Sequence, residues 1–181
     1  MLVTETKIPD VKLLTPKKFG DERGFFLESY NKKTFNDLLG LNSEFVQDNH
    51  SRSAKGVLRG LHYQITNPQG KLVRVTAGAV FDVAVDLRRS SATFGHWTGA
   101  TLTAEGQEQF WVPAGFAHGF LVLSDSADFL YKTTDYYAPE AERTIAWDDP
   151  DLAIDWPLDG MPVLSEKDQK GQAFKLAEVY P

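Results

Sequence analysis

The sequence contains no cysteine, so disulfides, thiolate nucleophiles and cysteine metal ligands are all excluded. That absence suits a reducing compartment. Long apolar runs are also missing: "GAVFDVAVDL" is broken by Asp82 and Asp86, and no membrane span is readable. The opening "MLVTETKIPDVK" lacks the apolar centre of a signal peptide, so a cytoplasmic location is expected. Surplus positive charge is absent too. The formal net charge of −6 argues against a non-specific grip on nucleic acid, but it leaves room for a local cationic pocket that takes a small anion. There is no repeat at solenoid spacing and no low-complexity segment. What remains is ordinary globular composition, 42% hydrophobic and 24% charged, over 181 residues, long enough for one full core.

Helical signal is sparse. "NKKTFNDLLG" is the best candidate, with Asn31 as N-cap and Gly40 as C-terminal stop, and a short second helix is expected after Ser165 in "SEKDQKG". Strand pattern is plentiful. In "AVFDVAVDLR", Phe81, Val83, Val85 and Leu87 alternate with Asp82, Ala84, Asp86 and Arg88. Ala77 and Gly78 read as a tight connection from the preceding "KLVRVTAG". "GHWTGATLT", "EQFWVP", "HGFLVLS" and "DFLYKTTDYY" read as further strands. Short strands at close spacing, punctuated by Gly and Pro, predict a mainly β sandwich or barrel with few short helices. One domain is expected, with N-terminal strands over about 1–50, a barrel core over about 51–147 and a C-terminal wrap over about 148–181. The wrap is inferred from the large apolar side chains in "DDPDLAIDWPLDGMPVLSEKD".

The chemistry-bearing stretch is "GVLRGLHYQITNPQGKLVRV", which places Arg59, His62 and Lys71 in a strand–turn–strand pattern. A lone strand histidine is ordinarily a satisfied core or surface group. A histidine, two cations and a tyrosine facing one cavity are costly unless they serve a site. Arg59 and His62 have opposite strand parity, and Gly60 between them is placed to carry a bulge that re-aims one of them. "WVPAGFAHGF" adds a P-x-G-x-x-H turn ending at His118. Together with "GLHYQ" it resembles the paired signature of the cupin superfamily, which implies a jelly-roll β-barrel with an internal site. Metal cupins place a second histidine two residues after the first, followed by a carboxylate. Here Gln64 holds the first position and "NPQG" offers no carboxylate. Two histidines beside a cation make a poor divalent-metal site, so no metal is expected.

A more specific resemblance spans nearly the whole chain. "RGFFLESYN", "FVQDNHSRSAKGVLRGLHYQ", "GKLVRVTAGAVFDVAVDLRRSSATFGHW", "WVPAGFAHGF", "DFLYKTTDYYAPEAERTIAWDDPDLAIDWP" and "LSEKD" resemble the dTDP-4-dehydrorhamnose 3,5-epimerase family, in order and with compatible spacing. The resemblance implies a cofactor-free, metal-free isomerase acting on a dTDP-sugar. His62 matches the general base, Asp168 the carboxylate that orients it, Tyr131 the proton donor on the opposite sugar face, and Lys71 the group that stabilises the enolate. Arg23, Glu28, Gln47, Asn49, Arg59, His118, Glu142 and Lys167 match substrate-contacting positions. A homodimer with exchanged N-terminal strands is implied as well, so that Arg23 and Glu28 serve the partner's site. His50 and His96 match no role, and either Tyr136 or Tyr137 offers a ring to stack on thymine.

The residue types fit the implied reaction. A C4 ketone acidifies the protons on C3 and C5, and imidazole is a suitable base near neutral pH. A carboxylate fixes its tautomer. Lysine supplies the cation that an enolate oxygen needs. Three rivals remain: an epimerase that inverts only C3 or only C5, a non-catalytic sugar-nucleotide-binding barrel, and a metal-dependent cupin.

Overall fold

The computed structural model describes residues 1–181 as a mainly β protein built on two antiparallel sheets. The chain opens with β1 (Leu2–Glu5) and β2 (Lys12–Thr15), followed by the hairpin β3 (Lys18–Asp21) and β4 (Gly24–Leu27), then helix α1 (Lys32–Leu39). Strands β5 (Gln47–Ala54), β6 (Leu58–Gln64), β7 (Lys71–Ala77), β8 (Ala79–Asp86), β9 (Trp97–Thr103), β10 (Gln109–Val112), β11 (Phe116–Val122), β12 (Ser126–Thr133) and β13 (Glu142–Thr144) follow. Helix α2 (Glu166–Gln169) comes near the C-terminus. The six-stranded sheet runs β1-β2-β10-β7-β12-β5, and the five-stranded sheet runs β13-β6-β11-β8-β9. The hairpin β3–β4 pairs only with itself.

Both helices form where capping chemistry permits them. The Asn31 side chain accepts from the Thr34 N–H, and Gly40 closes α1 in the left-handed conformation. The Ser165 hydroxyl accepts from the Asp168 N–H at the start of α2. Helix α1 lies on the outer face of the six-stranded sheet through Phe35, whose ring centre is 5.2 Å from that of Trp111 on β10.

The main core fills the space between the sheets. Val73, Val75, Phe110 and Phe129 from one sheet meet Val80, Ala84, Phe116 and Phe120 from the other. A second core lies on the outer face of the five-stranded sheet, where Leu152, Trp156 and Ala177 of the C-terminal segment cover Leu61, Val83, Val85 and Leu121. This explains a departure from simple alternation in β8. Its period of two is present, but neither face is wet: Asp82 and Asp86 are as buried as Val83 and Val85. Gly78 makes the tight connection expected between β7 and β8, yet the two strands lie in different sheets rather than forming a hairpin. Its φ of 76° suits glycine, and a Cβ there would lie 2.0 Å from the Ser126 carbonyl oxygen.

Candidate active site

At one end of the barrel the two sheets part around a cavity of about 410 Å³. Its lining is drawn from both walls. The five-stranded sheet presents Arg59 and His62 from β6, His118 from β11 and Glu142 from β13. The six-stranded sheet presents Gln47 and Asn49 from β5, Lys71 from β7 and Tyr131 from β12. Lys167 of α2 and Tyr137 complete the rim.

Gly60 allows Arg59 and His62 to share this cavity. His62 pairs with His118, whereas Arg59 pairs with Phe120, and the register shifts between the two pairs. A Cβ on Gly60 would lie 2.6 Å from the Cα of Gly119, so the close approach of β6 to β11 requires glycine. The Arg59 Nε and Nη2 donate to the Ser53 hydroxyl at 3.1 and 3.0 Å, which fixes the guanidinium on the cavity wall.

The His62 Nε2 is 2.6 Å from Asp168 Oδ1. Asp168 is itself held by the Ser165 hydroxyl, which donates to Oδ2 at 2.6 Å, and by the Gly60 N–H, which donates to Oδ1 at 3.2 Å. With Nε2–H donated to the carboxylate, the neutral imidazole carries its free lone pair on Nδ1. Burial pushes the Asp168 carboxyl up, but its hydrogen bonds from His62, Ser165 and Gly60 outweigh that and hold it at about 2. Burial pushes the His62 imidazole below its ordinary value, against the opposing pull of Asp168.

The other polar groups are similarly tuned. Burial lowers the Lys71 amine to about 8, with the charges of Asp82 and Glu142 opposing the drop. Burial and the Glu142 carboxylate both push the Tyr131 phenol up, while Arg59 opposes them. Burial pushes the Glu142 carboxyl up, but the Lys167 ammonium, 2.8 Å away, brings it below its ordinary value. The Tyr137 hydroxyl donates to Glu142 at 3.1 Å, and its backbone N–H donates to Gln47. Of the two candidate stacking tyrosines, Tyr137 is therefore the one on the cavity rim.

The cavity lining and the candidate residues do not coincide throughout. Arg23 and Glu28 lie outside the cavity: Arg23 is exposed and paired with Asp21, and Glu28 accepts from Asn31. His50, for which the sequence suggested no role, stands at the cavity mouth, 3.3 Å from Asp128. Asp82, behind His118, was missed as a member of the site; an aspartate inside an otherwise apolar strand run was the available signal. Gln64, where a metal cupin has histidine, accepts from the Ala138 N–H and donates to the Asn67 and Tyr136 carbonyls. Nowhere do three or more His, Asp or Glu side chains gather as metal ligands. No helix is long and apolar enough to cross a membrane.

The fold and the cavity define a cupin-type barrel equipped for proton transfer. The family model described as dTDP-4-dehydrorhamnose 3,5-epimerase matches residues 5–176. The Pseudomonas aeruginosa dTDP-4-dehydrorhamnose 3,5-epimerase is 64% identical over 181 residues, covering 100% of both chains. The crystal structure of a dTDP-6-deoxy-D-glucose-3,5-epimerase from Legionella pneumophila in complex with dTDP-4-keto-L-rhamnose is 56% identical, with a TM-score of 0.96 over 98% of this chain and 94% of that one. A 3'-monoepimerase from Streptomyces bikiniensis, in complex with dTDP-quinovose, is 34% identical, with a TM-score of 0.88 over 94% of this chain and 87% of that one. The chain belongs to the dTDP-4-dehydrorhamnose 3,5-epimerase family and is an isomerase of the rhamnose pathway.

Proposed function

We propose that the cavity converts dTDP-4-dehydro-6-deoxy-D-glucose to dTDP-4-dehydro-β-L-rhamnose without metal or cofactor, by removing and replacing the protons on C3 and C5. One observation carries this reading: the base and the acid stand on opposing sheets, His62 on β6 and Tyr131 on β12, around a single cavity. A sugar lying between them meets a base on one face and a proton donor on the other, as inversion demands.

His62 Nδ1 removes a carbon-bound proton made acidic by the C4 ketone. Asp168 stabilises the resulting imidazolium through the 2.6 Å contact with Nε2. Negative charge passes to the C4 oxygen, where the Lys71 ammonium supports it from within the low-dielectric pocket. The Tyr131 phenol then delivers a proton from the opposite face, and its raised pKa keeps that proton in place until the enolate calls for it. Imidazolium and phenolate return to their resting states by exchange with solvent at the open cavity mouth.

Arg59 provides forked donors for the pyrophosphate, and Tyr137 a ring for the thymine base. The remaining cation comes from a second subunit. Phe19, Phe25 and Phe26 on the hairpin β3–β4 are exposed, and neither Arg23 nor Glu28 lines the His62 cavity of its own chain. A homodimer with exchanged N-terminal strands buries those rings and carries Arg23 and Glu28 to the partner's site.

The test is proton NMR in D₂O with dTDP-4-dehydro-6-deoxyglucose and enzyme stripped of metal. Deuterium entering both C3 and C5, with the L-rhamno product, is the expected result. Exchange at one carbon alone assigns the chain to the single-site epimerases. No exchange by a folded protein that binds dTDP leaves a binding module.

A further inference from the structure

Asp82 plays no part in the steps above, yet its placement demands a reason. It lies on β8 with 0% exposure. Its Oδ1 is 2.9 Å from the Nε2 of His118, and its Oδ2 is buried with no hydrogen-bond partner. A carboxylate enclosed in this way is strongly disfavoured unless a nearby positive charge offsets it.

Burial pushes the Asp82 carboxyl up, and both His118 and Lys71 oppose that rise. Burial pushes Lys71 down, and Asp82 is the largest charge opposing that fall. The other titratable groups lining the cavity with Lys71 are His50 from β5, Arg59 and His62 from β6, His118 from β11, Tyr131 from β12, Tyr137, Glu142 from β13 and Lys167 from α2. Glu142 is already paired with Lys167, and Asp168 with His62. Both oxygens of Glu142 and of Asp168 are satisfied by hydrogen bonds, whereas Asp82, paired with His118 through Oδ1, keeps Oδ2 without a partner and is the carboxylate we assign to balance Lys71.

We propose that Asp82 is a positioning residue: its carboxylate holds His118 in one tautomer and supplies the buried negative charge that balances Lys71. With Nε2–H donated to Asp82, His118 presents Nδ1 as an acceptor for a substrate hydroxyl. The Lys71 half of this assignment rests on its reading as the group that supports the enolate.

Asp82→Asn keeps the side-chain volume and removes the charge. Three quantities are measured in the purified full-length protein: the Lys71 titration by ¹³Cε NMR, the His118 tautomer by ¹⁵N imidazole shifts, and the pH profile of kcat. In the variant the Lys71 midpoint is expected to fall by about one pH unit, and His118 to lose its fixed Nε2–H form. The alkaline limb of kcat should move down with the midpoint, while KM moves less. A Lys71 midpoint unchanged from wild type overturns the proposal. A midpoint that falls while the kcat limb stays put supports the charge balance and instead removes Lys71 from enolate stabilisation. Should the variant not fold, the Asp82 ¹³Cγ shift of the wild type decides: a carboxylate at neutral pH is expected, and a protonated acid there overturns the assignment.

Discussion

His62 and His118 stand directly opposite one another in the β6–β11 pairing, and each commits its Nε2 to a carboxylate. The two pairs differ in depth. The His62 side chain is 23% exposed, whereas that of His118 is 8% exposed. A base that must lose its proton to solvent between turnovers needs access to water, and His62 has more of it. This asymmetry supports His62 as the base, with His118 as a fixed contact. It also explains why the two carboxylates come from different places: Asp168 arrives from the capped start of α2, Asp82 from the sealed interior of β8.

His62→Ala tests the base. Exchange of the C3 and C5 protons should fall by about 10³-fold or more, since a positioned general base contributes about 10²–10⁴-fold. The affinity for dTDP, measured by calorimetry, should stay close to wild type, because Arg59 and Tyr137 are untouched. Exchange at the wild-type rate removes His62 from the mechanism.

Tyr131→Phe separates proton removal from proton delivery. The phenol lies on the wall opposite His62, so its loss should leave deuterium exchange on the His62 face while inverted product falls by about 10²-fold or more. The ratio of exchange to inversion, read in one NMR time course, is the measurement. Equal loss of both argues against a dedicated donor.

The pH dependence follows from the directions of the shifts. His62 must be neutral to act, and its pKa lies below 6.5, so the acid limb of kcat/KM is expected below that value. Lys71 must be charged, and its amine titrates at about 8, so activity should fall as pH rises through that region. A profile that stays flat through the Lys71 titration removes the need for its charge. Stability follows the same signs. The folded protein resists protonation of His62, so stability falls as pH drops below 6.5; the Asp168 contribution is present above 3.8 and is lost as pH falls toward about 2.

Much of this site was legible in the sequence because strand parity and capping are local. Asn31, Gly40 and Ser165 announced the helix ends, and the structure uses all three. Gly60 marked the irregularity that lets Arg59 and His62 share a wall. Asp82 was legible only as a break in an apolar strand run, not as a site residue. A period of two reads as one dry face and one wet face, but the C-terminal segment covers the outer side of β8 and makes both faces dry. Arg23 and Glu28 expose a different gap, since a single sequence does not state which copy of the chain completes a cavity.

That gap is open to a mixing experiment. Arg23→Ala keeps His62 but should lose its grip on the pyrophosphate; His62→Ala keeps Arg23 but loses the base. Each variant alone should be nearly inactive. If Arg23 reaches into the partner's cavity, a mixed dimer holds one site with both residues intact, beside one site that lacks both. Random exchange of equal amounts makes about half the dimers mixed, each with one working site, so activity should return to about a quarter of wild type. The recovery should appear only after subunits have been exchanged, by co-expression or by refolding together, and should scale with the mixed fraction measured by native mass spectrometry. If Arg23 serves its own chain, no mixed dimer contains a complete site, and co-expression recovers nothing beyond the sum of the two parents.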